Sequence, residues 1–332
     1  VELNLRYDMN SPPFGAPHPA LYQAAIEQAA WADRLGFSHV FLAEHHGAEH
    51  GYCPSSMVQA ASIFAVTRRI RVHLSALVVT LHDPLRLAED LAVLDNISDG
   101  RIVFTAGMGY RPHEFEMFGR DMSRRLAILN ETLEVLKKAW TGEPFDYQGR
   151  TVRVTPRPVQ PGGPRIYMGG STEKSAIRAG RSGYEYFPGV PDLFEIYKAE
   201  RAAAGFGPPE PFLKPGPSFL FVSDDPDRDW PLVAPHVAYA TNTYAEWAKE
   251  RGVGDTRYKP ALSLDDLRQM PNIKVVTPGA CFGLIKALGP RSQVTFHSLL
   301  GGLDPALSWK SLKLFETAVH PRLVAEGLVR AP

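Results

Sequence analysis

The sequence predicts an α/β fold, a parallel (β/α)8 TIM barrel with loop insertions, on three observations. Short β-branched or apolar runs alternate with helical patterns along most of the chain, as consecutive βαβ units do. The 332 residues exceed a typical domain, yet barrels of this kind commonly pass about 250 residues around one core. Helices are punctuated as such units require, one stopped by Gly36 and another capped by Asp83 and followed by Gly100. One domain over residues 1–332 is therefore expected.

Leu3, Leu5 and Tyr7 alternate in a first strand. A helix follows with Leu21, Ala25, Ala29, Ala32 and Leu35 on one stripe, stopped by Gly36, and then a buried strand at His39–Leu42. Residues 55–68 form the second helix and Ile70–Thr80 the third strand. The next helix has Asp83 as N-cap, Pro84 at its first position, Leu87, Leu91 and Leu94 inward, and Gly100 past its end. Arg101–Thr105 is the fourth strand, and Leu126, Leu129, Leu133, Leu136 and Trp140 recur at helical spacing. A surface hairpin is expected near residues 143–155, then a Pro/Gly-rich connector at Pro156–Pro164. The barrel resumes with Arg165–Met168, a helix from about Thr172, a strand near Tyr184–Phe187 and a helix over 191–203. Residues 216–222 and Val294–Leu299 supply strands seven and eight, before a helix bearing Leu312, Phe315 and Val319. Residues 223–290 show weak periodicity and many Pro, Arg and Asp. So long a connection reads as a lid or substrate-binding insertion.

Lys+Arg and Asp+Glu number 36 each, so no electrostatic footprint points to nucleic acid or an anionic membrane. A small-molecule partner is expected. Cys53 and Cys281 stand far apart in no metal-ligand spacing, which fits a reducing cytoplasm and no structural zinc. The first residues lack a basic then apolar leader and no run approaches ~20 apolar residues. A soluble, cytoplasmic protein is expected.

Barrel active sites lie where strands end at their C-terminal side, which singles out four clusters. Glu44, His45 and His46 follow the second strand, and an imidazole there would move protons near neutral pH or merely bond a loop. Adjacent histidines diverge on extended chain and neither His50 nor His73 completes a ligand motif, so no metal is expected. Ser75 and Ala76 are small where a bulky strand would continue, admitting a planar ring or simply packing tightly. Gly107, Met108, Gly109 and Tyr110 let backbone approach a ligand, with Arg111 and Glu114 as a polar rim. They are no dinucleotide fingerprint, because Pro112 stands in place of the third glycine. Gly169, Gly170, Ser171, Thr172 and Ser175 lead from the fifth strand into a helix, where free N–H groups and hydroxyls make a phosphate cradle. One phosphate without a P-loop or Rossmann fingerprint suits a mononucleotide.

At these residues the sequence resembles the bacterial-luciferase-like superfamily of flavin-dependent monooxygenases. The resemblance rests on GluHisHis at 44–46, on the run 82–101 from HisAspProLeuArg to SerAspGlyArg, and on GluPheGluMetPheGlyArgAspMet at 114–122. The cradle and AlaValHisProArgLeu at 318–323 agree. It implies that His45 is the catalytic histidine near the flavin, supported by His46 and Glu44, and that Glu114 is an acidic position near the site. It also implies a cis peptide at Ser75–Ala76 and phosphate contacts from Thr172 and Ser175. The chain departs where Gly107 replaces a reactive cysteine of the light-emitting subunit and Met108 a phosphate-contacting arginine. The implied reaction uses reduced FMN and O2, through a C4a-peroxyflavin, to oxygenate a small organic substrate. A separate NAD(P)H:flavin reductase would supply the flavin, since no nicotinamide fingerprint is present, and relatives commonly form homodimers. The alternatives are hydride transfer with the deazaflavin F420, a non-catalytic flavin-binding protein, and, more remotely, a hydrolase pairing Glu44 with Glu114.

Overall fold

The computed structural model describes residues 1–250 and 263–331. The chain forms two compact units. The first comprises Val1–Phe41, Ala48–Pro54 and Leu213–Pro332, and the second Leu42–Gly47 and Ser55–Phe212.

The first unit opens with β1 (Glu2–Tyr7), α1 (His18–Arg34) and β2 (His39–Leu42), whose last residue belongs to the second unit. Helix α1 buries Leu21, Ala25, Ala29 and Ala32, the stripe that the helical period requires. The second unit carries α2 (Ser56–Val66), β3 (Arg71–Val78), α3 (Pro84–Ser98), β4 (Ile102–Gly107), α4 (Pro112–Met117) and α5 (Arg125–Ala139). Asp83 caps α3 by accepting from the N–H groups of Leu85 and Arg86, and Asp99 ends it in the left-handed conformation. The antiparallel hairpin β5 (Phe145–Tyr147) and β6 (Arg150–Val152) lies where the turn residues place it. Strand β7 (Arg165–Gly170), α6 (Glu173–Ser182), β8 (Glu185–Pro188) and α7 (Leu193–Ala203) complete the unit.

The first unit resumes with β9 (Lys214–Pro215), β10 (Phe219–Val222), α8 (Pro226–Glu250), α9 (Leu264–Gln269), β11 (Ile273–Val276) and α10 (Pro278–Leu288). It ends with β12 (Ser292–Phe296), α11 (Pro305–Ala318) and α12 (His320–Ala325).

Eight strands are hydrogen-bonded in the order β8-β7-β4-β3-β2-β1-β12-β9. The pairs β1–β12, β12–β9, β3–β4, β4–β7 and β7–β8 are all parallel, as βαβ connections dictate. One expectation needs correction. The seventh strand of this sheet is the two-residue β9, whereas Phe219–Val222 pairs in parallel with β11 in a sheet of its own. Within the region 223–290 stand α8, α9, β11 and α10, and its residues 251–262 lie outside the described residues. Phe219, Phe221, Trp230, Val233 and Ile273 share one buried apolar cluster. Each large apolar side chain leaving water contributes about 1.5–3 kcal/mol, so β10, α8 and β11 pack as core.

Candidate functional site

The chain after β2 runs as buried, irregular backbone through Glu44, His45 and His46. On extended chain side chains alternate, so Glu44 and His46 share a side while His45 points away. Their partners follow that division. His46 Nε2 lies 2.9 Å from Glu44 Oε1, whereas His45 Nδ1 lies 2.8 Å from Glu114 Oε1.

Glu114 reaches His45 because α4 interrupts the loop after β4. Pro112 begins that helix with its φ already helical, and Glu114 stands in the first turn, fully buried. Its Oε1 accepts from His45 Nδ1–H and from the His46 backbone N–H at 3.0 Å, with Arg111 Nη1 at 3.8 Å. Its Oε2 is buried with no hydrogen-bond partner among the described residues. With Nδ1 committed to Glu114, the His45 ring presents Nε2, 3.4 Å from the Tyr110 hydroxyl. The ring is held by a carboxylate on one side and offers one nitrogen to chemistry on the other.

Glu44 is the centre of a second arrangement. Its Oε1 accepts from His46 Nε2 and, at 3.0 Å, from His82 Nε2, and Ser56 Oγ is 3.4 Å from Oε2. Burial opposes the carboxylate, but the hydrogen bonds and charges of His46 and His82 bring its pKa down to about 2. Burial likewise opposes the His82 cation, and Glu44 outweighs it, raising His82 above the ordinary imidazole value. His82 keeps about a quarter of its side chain in solvent, at 24% exposure. Glu44 thus bridges a buried imidazole and one that reaches water.

Ser75–Ala76 is a cis peptide, and the β3–β4 register shifts between Leu74 and Leu77. A Cβ at Gly107 would sit 3.0 Å from Ala76 Cβ and 3.2 Å from Leu77 O, so only glycine leaves this approach open. Gly109 takes a positive φ of 69°, which glycine adopts freely. Met108 O accepts from the Thr80 hydroxyl, and its sulfur lies 3.7 Å from Arg178 Nη1.

At the β7–α6 turn a Cβ on Gly170 would collide with Ser175, so the chain lies against the helix start. Thr172 is the N-cap and forms a capping box with Ser175, each side chain bonding the other's backbone N–H. Thr172 remains exposed. Ser175 is buried, its hydroxyl also 3.1 Å from the Tyr186 hydroxyl. The cradle therefore offers an anion the Thr172 hydroxyl, the first N–H groups of α6 and the exposed Lys174, while Ser175 holds the turn. Arg178 lies on the same helix, its pKa lowered by burial. These donors fit one phosphate.

The structure brings Glu44, His45, His46, Tyr110 and Glu114 into linked contacts and sets Ala76 against Gly107. Sequence reasoning gave no role to His82, Ser56, Tyr186 or Arg178. His82 did carry a signal, since it opens the HisAspPro run just after the third strand.

The fold is α/β with parallel strands, a carboxylate-held histidine after β2 and a helix start that offers N–H groups and a hydroxyl to an anion. The chain belongs to the luciferase-like monooxygenase family, whose model matches residues 9–281. It is 31% identical over 168 residues to the uncharacterized protein y4vJ of Sinorhizobium fredii, covering 49% of this chain and 48% of that protein. It is 32% identical over 107 residues to the alkanal monooxygenase alpha chain of the Kryptophanaron alfredi symbiont, covering 32% of this chain and 30% of that one. The chain aligns with about half the length, or less, of these curated relatives. Among solved structures, the oxygenating constituent of 3,6-diketocamphane monooxygenase from the CAM plasmid of Pseudomonas putida, a type II Baeyer-Villiger monooxygenase in complex with FMN, superposes with a TM-score of 0.73 at 19% identity, covering 100% of this chain and 99% of that one. An F420-dependent secondary alcohol dehydrogenase shares the fold at TM-score 0.64 and 15% identity, over 92% of this chain and 98% of that one. No described helix is long and apolar enough to cross a membrane.

Proposed function

We propose that the chain is a monooxygenase that uses reduced FMN and O2 to oxygenate a small organic substrate, with reduced flavin delivered by a separate NAD(P)H:flavin reductase. The strand order is read as a (β/α)8 barrel. The observation that carries the reading is the buried His45–Glu114 pair, 2.8 Å apart, placed after a strand end in a chain of this family. Bound reduced FMN supplies the electrons that activate O2 for transfer of one oxygen atom.

The residues divide the remaining work. Thr172, the N–H groups opening α6, Lys174 and Arg178 hold the phosphate, with Ser175 keeping the turn in shape. Gly107 and Ala76 leave a surface without bulky side chains, against which a planar ring fits. His45 takes up and returns a proton at Nε2, and Glu114 fixes the ring through Nδ1. Glu44, His46 and His82 support that strand end.

The test is anaerobic titration of the protein with reduced FMN, reduced riboflavin and reduced F420. A charge-assisted hydrogen bond to phosphate is worth about 1.5–3 kcal/mol, so FMN is expected to bind at least tenfold tighter than riboflavin. Thr172→Ala should narrow that ratio. Equal affinity for riboflavin would overturn the phosphate assignment, and tighter binding of F420 would replace oxygen transfer with hydride transfer.

A further inference from the structure

The loop after β4 and helix α6, both in the second unit, meet at a sulfur to which the flavin reading gives no role. Strand β4 ends at Gly107, and Met108 follows with its carbonyl accepting from the Thr80 hydroxyl at 3.0 Å. That bond fixes the Met108 backbone. Its side chain reaches α6, where the sulfur lies 3.7 Å from Arg178 Nη1. Arg178 stands three residues beyond Ser175, so the two are neighbours on the helix surface and the guanidinium belongs to the face that carries the capped turn.

A guanidinium has five N–H donors, and taking it out of water is costly unless those donors and its charge are matched. Arg178 is half-buried, and burial lowers its pKa with no neighbouring charge among the described residues to raise it again. Its one hydrogen-bond partner among the described residues is the Met108 thioether. Thioether sulfur is a weak acceptor, so the cation rests on a group that does little to satisfy it. Met108 is half-buried, whereas Met9 and Met168 are buried at 1% and 3% exposure.

We propose that Met108 is a site of oxidation, at which hydrogen peroxide converts the thioether to a sulfoxide whose oxygen binds Arg178. A sulfur lone pair attacks one peroxide oxygen as the O–O bond breaks. The other oxygen leaves as hydroxide and takes the proton of the transferred one, giving water; the sulfur loses two electrons and the peroxide gains them. The new oxygen is one bond from a sulfur already 3.7 Å from Arg178 Nη1, and it is a polar acceptor where the thioether was a weak one. Arg178, satisfied in this way, is withdrawn from any anion at the start of α6, so oxidation weakens phosphate binding while the cradle itself stays whole. Peroxide forms when O2 takes two electrons and two protons from reduced flavin and no substrate is oxygenated. As a brake on the proposed oxygenation the inference rests on that reading; as a modification site it requires peroxide alone.

The experiment treats the protein with hydrogen peroxide in a Met117→Leu background, which removes the methionine that is 58% exposed, and maps added oxygen by peptide mass. Met108 is expected to gain one oxygen before Met9 and Met168. Phenylglyoxal, which reacts with arginine side chains, should then label Arg178 several-fold more slowly than in untreated protein. Reduced FMN should bind about tenfold more weakly, the worth of one hydrogen bond to a charged group, with riboflavin unaltered. In Met108→Leu, peroxide should change neither the labelling rate nor the FMN affinity. Met108→Gln sets an amide oxygen beside Arg178 and should slow labelling without peroxide; it decides alone if circular dichroism shows that oxidation unfolds the chain. Met108 left intact after Met57 and Met122, also half-buried, have reacted, an unchanged labelling rate after oxidation, or the same peroxide effect in Met108→Leu would each overturn the proposal. Slowed labelling with unaltered FMN affinity would overturn the brake. Labelling needs no flavin, so failure of FMN to bind more tightly than riboflavin would strike the phosphate reading and leave the modification standing.

Discussion

His45 and His46 are neighbours in sequence with separate partners, and that separation makes their proposed roles distinguishable. His45→Ala should retain reduced FMN, held by the α6 cradle, yet lose about 10²–10⁴ in oxygen transfer, the usual worth of a positioned acid or base. Stopped-flow mixing with oxygen and product yield would measure it; normal turnover in the variant would make His45 a structural strand-end residue. Glu114 separates charge from geometry. Glu114→Gln keeps an oxygen for His45 Nδ1 and the His46 N–H, whereas Glu114→Ala leaves both donors unpaired, at about 1–3 kcal/mol each. Turnover should therefore fall in the order wild type, Gln, Ala, with Ala also lowering the urea midpoint; equal loss in both would show that the charge alone matters. GluHisHis and Glu114 were legible because they follow strand ends. The Glu44–His82 bond was not, since no local pattern marks a pairing 38 residues apart.

At the scale of elements, legibility followed punctuation. Helix α3 is announced by Asp83, Pro84 and Gly100, and the structure uses the cap as read. Asp83→Ala should cost about 0.5–2 kcal/mol in urea unfolding without changing FMN affinity, because the cap lies outside the cradle. Thr172→Ala should cost a similar amount and weaken FMN as well, since Thr172 both caps α6 and faces solvent. A Thr172→Ala protein with lowered stability and unaltered FMN affinity would reduce the residue to a cap. Helix α8 was hidden because Pro231 and Pro235 lie inside it, and proline in a helix interior normally breaks the pattern that is sought. Strand β9 was hidden by its length, since two residues carry no period. The strand expected at 216–222 forms over Phe219–Val222 but in another sheet, because four buried apolar residues do not reveal their partner.

For the molecule as a whole, stability against pH gathers these local environments into one measurable curve. Glu44 has its pKa lowered from 4.5 to about 2, so its contribution is complete above the unfolded value and is lost as pH falls toward 2. His297 is lowered from 6.5 to about 4 by burial, and His320 is lowered as well, chiefly by desolvation. Between those limits the unfolded chain binds protons that the native one refuses. Stability therefore declines as pH drops below 6.5. His82 has the opposite sign: its pKa is raised against the cost of burial by Glu44, so its contribution is complete below 6.5 and is lost as pH rises through the native value. Urea midpoints taken from pH 4 to pH 9 should accordingly pass through a maximum near neutrality. One proton corresponds to about 1.4 kcal/mol per pH unit, which sets the largest slope that a single group can add. His297→Leu should flatten the acid limb between pH 4 and 6.5 by up to that slope, and His82→Gln should flatten the alkaline limb while leaving the acid one in place. An acid limb of unaltered slope in His297→Leu would mean that the buried imidazole titrates alike in the native and unfolded chain and adds nothing to the acid limb.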